Sequence, residues 1–126
     1  MTRAPAAFLD TDILVCAVST DPRSARAEAL LRERWRTSVQ ALNAFATVAR
    51  RKLAWSWPET RAALESFRAL ADRVEPLDME THETALALAE AHGFSVHDAL
   101  MVAAALRSGA QTLFSEDMQD GASPTG

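Results

Sequence analysis

The sequence predicts an α/β domain: a three-layer α/β/α sandwich around a central parallel sheet. Two features predict it. Short strand-like runs at 6–9, 37–39, 74–77 and 112–114 alternate with longer segments of helical period. Those helical segments are long enough to serve as the crossovers that join parallel strands and cover both faces of a sheet. The 126 residues are 48% hydrophobic and 24% charged, which suits one globular domain and argues against a disordered, collagenous or coiled-coil chain.

The elements follow in order. After the apolar run 6–9, residues 13–18 are continuously apolar, and periodicity leaves them open between an extension of the first strand and the start of a helix. Residues 23–35 place Ala27, Leu30, Leu31 and Trp35 on one helical face, and residues 41–53 do the same with Leu42, Phe45, Ala49 and Leu53. Pro58, at a first-turn position, opens a segment in which Ala63, Leu64, Phe67 and Leu70 recur at helical spacing. Asp78 caps the next helix, which runs to about Ala91 before Gly93 stops it. Ser95 opens the last helix, which ends near Gly109. No linker-like stretch or internal repeat divides the chain, so residues 1–121 read as one domain and 122–126 as a loose tail.

Composition narrows the function. The apolar run 13–18 is far short of a membrane span, and Asp10 and Asp12 interrupt any secretory signal. The single cysteine, Cys16, cannot form an internal disulfide, so a reducing cytoplasm is the expected compartment. With 13 basic and 17 acidic side chains the net charge is -4, so a nucleic-acid contact would have to be local. The only compact basic run is Arg50, Arg51 and Lys52, which reads either as phosphate contacts or as the favoured cationic last turn of a helix.

In open parallel sheets, sites form beyond the carboxyl ends of the strands. Asp10 and Asp12 follow the first strand, Glu116 and Asp117 follow the last, and Asp98 lies in the first turn of the helix before it. Singly, each has an ordinary reading. Ser95-Val96-His97-Asp98 fits a capping box, Asp12 can cap the segment that follows, and Glu116 and Asp117 can be turn residues. Together they point to a cation, because carboxylates held close repel one another unless a cation or proton neutralises them. An oxygen-only set without zinc-spaced Cys or His suits Mg²⁺ or Mn²⁺, and such an ion suits phosphodiester hydrolysis.

Four segments resemble, in order, the sequence blocks of PIN-domain proteins, above all the VapC-type toxin ribonucleases of bacterial toxin–antitoxin pairs. They are Phe8-Leu9-Asp10-Thr11-Asp12-Ile13-Leu14; Ser38-Val39-Gln40-Ala41-Leu42-Asn43-Ala44-Phe45 with Ala49-Arg50-Arg51-Lys52; Phe94-Ser95-Val96-His97-Asp98-Ala99-Leu100; and Thr112-Leu113-Phe114-Ser115-Glu116-Asp117-Met118-Gln119. The resemblance implies a PIN-like α/β/α fold with a short helix at 13–18. It implies Asp10, Asp98 and Asp117 as catalytic carboxylates holding Mg²⁺ or Mn²⁺ for endonucleolytic RNA cleavage. Asp12, Ser115 and Glu116 would stand close behind them. It also implies a homodimer neutralised by a small antitoxin, with no membrane partner.

The sequence departs from the family pattern at one position: Ala44 stands where the family block carries a glutamate. Alanine cannot bind a metal, so the chain is either a natural variant relying on the remaining acids or an active-site substitution. Two other functions compete. One is a PIN-fold binding module that has lost its chemistry. The other is a haloacid-dehalogenase-like phosphatase, suggested by Asp10-Thr11-Asp12 and opposed by Leu14 and the poorly placed lone Lys52. Self-association is expected through N-terminal helices including 23–35, and Trp55 and Trp57 form a candidate interface pair beside Pro58.

Overall fold

Phe8 and Leu9 are adjacent in strand β1 (Ala7–Leu9), fully buried, and packed into different hydrophobic clusters. That alternation is the pleat of a strand covered on both faces. The computed structural model describes residues 6–115. It contains a four-stranded parallel sheet in the order β3-β2-β1-β4, with β2 at Trp35–Ser38, β3 at Arg73–Glu75 and β4 at Thr112–Phe114. Phe8 aligns with Arg36 on one side and Leu113 on the other, and Thr37 aligns with Val74.

One layer is built from α1 (Thr11–Ala17), α2 (Ser24–Leu31), α3 (Val39–Arg51) and α4 (Trp57–Leu70). Its cluster joins Leu9, Leu14, Trp35, Phe45 and Phe67, with Phe45 and Phe67 edge to face at 5.0 Å. The opposite layer is α5 (Met79–His92) and α6 (Val96–Ser108). There Met101, Val102 and Ala105 pack on Phe8 and Leu113, while Ala85, Ala99 and Ala103 let α5 and α6 approach closely.

Local sequence sets most boundaries. Ser56 and Glu59 form a complete capping box before α4, Asp78 caps α5 through the Thr81 backbone N–H, and Ser95 caps α6 through the Asp98 backbone N–H. Gly93 and Gly109 end α5 and α6 at φ of 73° and 75°, a left-handed conformation that favours glycine. The ambiguous run 13–18 is helical, as part of α1.

Three expectations are corrected. The helix predicted over 23–35 stops at Leu31, and Trp35 instead opens β2, fully buried against Phe67 at 6.4 Å, its indole N–H donating to the Leu31 carbonyl. Tertiary burial of a large β-favouring side chain overrides the helical period there. The strand read at 74–77 lies at Arg73–Glu75, because Pro76 cannot extend the ladder. Finally, Val39 belongs to the first turn of α3 and not to the strand before it, since Ser38 caps that helix through the Ala41 backbone N–H. The tail read at 122–126 lies outside the described residues.

Candidate active site

The chain runs from β1 outward to β2 and β3, then returns to place β4 on the other side of β1. The order therefore reverses between β1 and β4, and in open parallel sheets that reversal opens a crevice beyond the carboxyl ends of the strands. Asp10 stands there. Its backbone N–H donates to the Phe114 carbonyl at 3.1 Å, and its carbonyl accepts from Ile13 in the first turn of α1. Asp10 is the N-cap residue of α1, yet its side chain makes no capping bond. The residue is 7% exposed, and its carboxylate accepts a 3.2 Å hydrogen bond from the Ser115 hydroxyl.

Buried hydroxyls hold this edge together. Thr37 Oγ1 donates to the Leu9 carbonyl at 2.9 Å, and Thr11 Oγ1 donates to the Ala41 carbonyl at 3.1 Å. These bonds fasten the exits of β1 and β2 and the starts of α1 and α3 to one another. They satisfy polar groups that would otherwise be buried without partners. Sequence reasoning missed both threonines, because a hydroxyl bonded across the fold leaves no local pattern.

Asp98 lies in the first turn of α6, beside a contact between α6 and α3. Gln40, in the first turn of α3, and His97, in the first turn of α6, approach to 3.4 Å between Nε2 and Nδ1, the amide donating. The amino end of α6 is thus drawn to the amino end of α3, which springs directly from β2. Asp98 follows His97 and is half-buried. Only the Ser95 half of the expected capping box forms, and among the described residues the Asp98 carboxylate has no hydrogen-bond partner.

Ala44 is half-buried in the second turn of α3. It lies four residues beyond Gln40, which meets α6, and three beyond Ala41, which meets α1. Residues at those spacings share a helical face. Asp12 sits in the first turn of α1 and lines a groove of about 450 Å³ with Val48 and Lys52 of the α3 side.

The basic run divides. Arg50 donates to the Trp55 carbonyl at 2.7 Å and lies over the Trp57 ring at 4.5 Å, so it organises the α3–α4 loop. Arg51 is exposed, and Lys52 faces the groove that holds Asp12. The tryptophans divide too, Trp55 packing edge to face on Phe45 and Trp57 remaining 57% exposed. Glu116 and Asp117 lie outside the described residues. Among the described residues no three Asp, Glu, His or Cys side chains gather closely enough to hold a metal ion. No helix among them is long and apolar enough to cross a membrane.

Fold and edge together define a parallel α/β domain with a buried aspartate at its switch point and a second acidic helix start drawn towards the same edge. The chain belongs to the PIN-domain family, whose model matches residues 7–119. Among solved structures it is similar to the Mycobacterium tuberculosis toxin VapC20, described as cleaving the sarcin–ricin loop. The TM-score is 0.72 and the identity 23%, over 89% of this chain and 92% of that one. It is also similar to a toxin–antitoxin complex from Klebsiella pneumoniae, with a TM-score of 0.71 and 19% identity over 91% and 89% of the two chains. A third is VapBC2 from Rickettsia felis bound to a promoter DNA fragment, with a TM-score of 0.62 and 20% identity over 87% and 86%. Comparison with curated protein sequences finds no match.

Proposed function

We propose that this protein is the endoribonuclease toxin of a toxin–antitoxin pair, using Mg²⁺ or Mn²⁺ held by Asp10, Asp98 and Asp117. The observation that carries the reading is Asp10 itself: a nearly buried carboxylate at a helix N-cap that does not cap and is held by Ser115 at the switch point of the sheet. Family membership and likeness to VapC folds support it. Hard oxygen donors without a neighbouring thiolate fit a hard divalent cation. Such an ion supplies Lewis acidity at a phosphoryl oxygen.

The chain's own residues have the remaining roles. Ser115 orients the Asp10 carboxylate, and the Thr11 and Thr37 bonds keep the surrounding strand and helix ends rigid. Asp12 and Glu116 stand beside the proposed ligands in sequence and add negative charge. Lys52, across the groove from Asp12, offers a phosphate contact, whereas Arg50 is committed to the Trp55–Trp57 loop.

Ala44 limits the activity. Side chains on a helix lean towards its amino end, so a longer acid at 44 would be directed back towards the sheet edge. With alanine there, the expected activity is low. That same residue favours a second reading, a PIN-fold module that keeps its partner without the chemistry. Family membership sets the phosphatase reading aside.

The partners we propose are RNA, a small antitoxin and a second copy of the chain. Exposed large apolar side chains include Leu77, Met79 and Leu86 on and beside α5, while Trp35 is buried in β2. The surface proposed for a second copy remains the helices of the N-terminal half, where Val39, Trp57 and Leu70 are also exposed. The test of function is metal-dependent cleavage of structured RNA by this chain and by Ala44→Glu, beside a binding assay with the antitoxin. Cleavage restored by glutamate supports the toxin, and binding without cleavage in either chain supports the module.

A further inference from the structure

Trp57 is an exposed indole that the fold holds in place. It is the first residue of α4, and the capping box of Ser56 and Glu59 fixes the backbone that carries it. Before it, Trp55 packs edge to face on Phe45 with ring centroids 6.0 Å apart, which anchors the α3–α4 loop in the core. Ala54 turns that loop at φ 56°, a left-handed conformation uncommon for a residue with a Cβ. Backbone strain of this kind persists where the surroundings over-determine it, and it clusters at binding sites. The Arg50 guanidinium donates to the Trp55 carbonyl at 2.7 Å and lies over the Trp57 ring at 4.5 Å. A cation therefore covers one face of the indole, yet the residue remains 57% exposed.

What surrounds the ring decides the class of its partner. In a protein contact, a tryptophan anchor sits at the centre of a patch of further contacts that exclude water. Among the described residues, the next exposed large apolar side chain along α4 is Leu70, at the far end of the helix, about 20 Å away at 1.5 Å per residue. Val39 likewise lies at the opposite end of α3 from Arg50. The sequence neighbours of Trp57 are instead cationic. Arg51 and Lys52 follow Arg50 directly, are exposed, and among the described residues make no ion pair. The nearest acid, Glu59, is engaged by the Ser56 backbone N–H at 2.9 Å. An aromatic face flanked by cations is complementary to a base on a polyanionic strand.

We propose that the open face of Trp57 stacks an unpaired base of the RNA, with Arg51 and Lys52 on the flanking phosphates. Lys52 also lines the groove that holds Asp12, so the bound strand continues from the indole along that groove. The substrate class is then RNA with a single-stranded or loop segment, because a base within a duplex offers no free face. The proposal rests on the reading of RNA as substrate, and it leaves Val39 and Leu70 to the second copy.

The test is equilibrium binding, without metal, of a short 2′-O-methyl oligoadenylate beside an abasic oligomer of the same length and charge. Trp57→Leu is expected to bind the oligoadenylate at least about tenfold more weakly than the parent chain. Its slope of affinity against salt stays unchanged, since a stack is lost and no phosphate contact. Trp57→Phe keeps a ring and recovers most of the affinity, whereas Arg51→Ala lowers the salt slope by about one phosphate contact. The abasic oligomer binds the parent and Trp57→Leu equally. Equal affinity of the two chains for the oligoadenylate overturns the proposal, as does an equal loss on both oligomers or a parent chain that binds neither. Light scattering that shows Trp57→Leu separating into single copies at unchanged RNA affinity makes Trp57 a protein contact and also overturns it. Metal-dependent cleavage of RNA that is indifferent to Trp57→Leu rejects the stack and retains the toxin. Base-dependent binding in a chain that never cleaves retains the stack and rejects the toxin.

Discussion

Ser115 Oγ donates to Asp10 Oδ2 across 3.2 Å, joining residues 105 positions apart at the ends of the adjacent strands β1 and β4. Ser115 is fully buried, so its hydroxyl is aimed by the fold and not by solvent. Replacing it by alanine removes a donor from a nearly buried carboxylate. Ser115→Ala is expected to lower stability by about 1–2 kcal/mol in urea unfolding. It should also weaken Mn²⁺ binding about tenfold, as loss of an outer partner to a ligating carboxylate does. Unchanged stability and affinity would count against an orienting role.

Position 44 gives the sharpest change of function. A glutamate there adds charge near Asp10 and Asp98, raising the pKa of one carboxyl and lowering the melting temperature without metal. With Mg²⁺ or Mn²⁺ present the same charge becomes favourable. Ala44→Glu should therefore show a larger metal-induced rise in melting temperature and at least about tenfold faster RNA cleavage, which requires roughly 1.4 kcal/mol of transition-state stabilisation. A panel of structured RNAs cleaved no faster by Ala44→Glu would leave Ala44 unconnected to activity.

Arg50 and Lys52 should separate cleanly. Arg50→Ala removes the loop hydrogen bond and the contact over Trp57, so it lowers the melting temperature and exposes the indole to quenchers. Lys52→Ala should leave the melting temperature unchanged, weaken RNA binding, and reduce the salt dependence of binding by about one phosphate contact. Salt titrations of RNA binding with each variant distinguish the two roles.

The acid limb of stability is tied to α5. The Thr81 backbone N–H and hydroxyl, with the Arg107 guanidinium, hold the Asp78 carboxyl down to about 2 from its ordinary 3.8. A depressed folded-state value means that Asp78 contributes its stability fully above about pH 4 and loses it as pH falls towards 2. Thermal melts between pH 5 and pH 2, ranges set by that linkage, should show a shallower loss for Asp78→Asn than for the parent chain. Parallel curves would remove Asp78 from the account.

Much of this was legible in the sequence because it depends on local chemistry. Asp78, Ser95, Gly93 and Gly109 mark helix ends where the structure has them, and the alternation of short and long apolar runs gives the parallel sheet. Trp35 misled because its helical spacing to Leu31 and Ala27 was real, while its burial against Phe67 depended on a segment 32 residues away. At the site, Asp10 and Asp98 were visible as acids at element boundaries. The approach of Gln40 to His97, which brings the start of α6 to the start of α3, joins residues 57 positions apart and has no signature in either segment. The hydroxyl bonds of Thr11 and Thr37 were hidden for the same reason.

The central claim is that Asp10, Asp98 and Asp117 hold one divalent cation, and a Mn²⁺ titration followed by electron paramagnetic resonance on the parent chain and Asp98→Asn tests it most directly. Among the described residues the Asp98 carboxylate makes no hydrogen bond, and its backbone N–H keeps the Ser95 cap in the variant, so folding should be preserved. The account predicts Mn²⁺ affinity at least about tenfold weaker in Asp98→Asn at an unchanged metal-free melting temperature. Equal affinity in the two chains would contradict it.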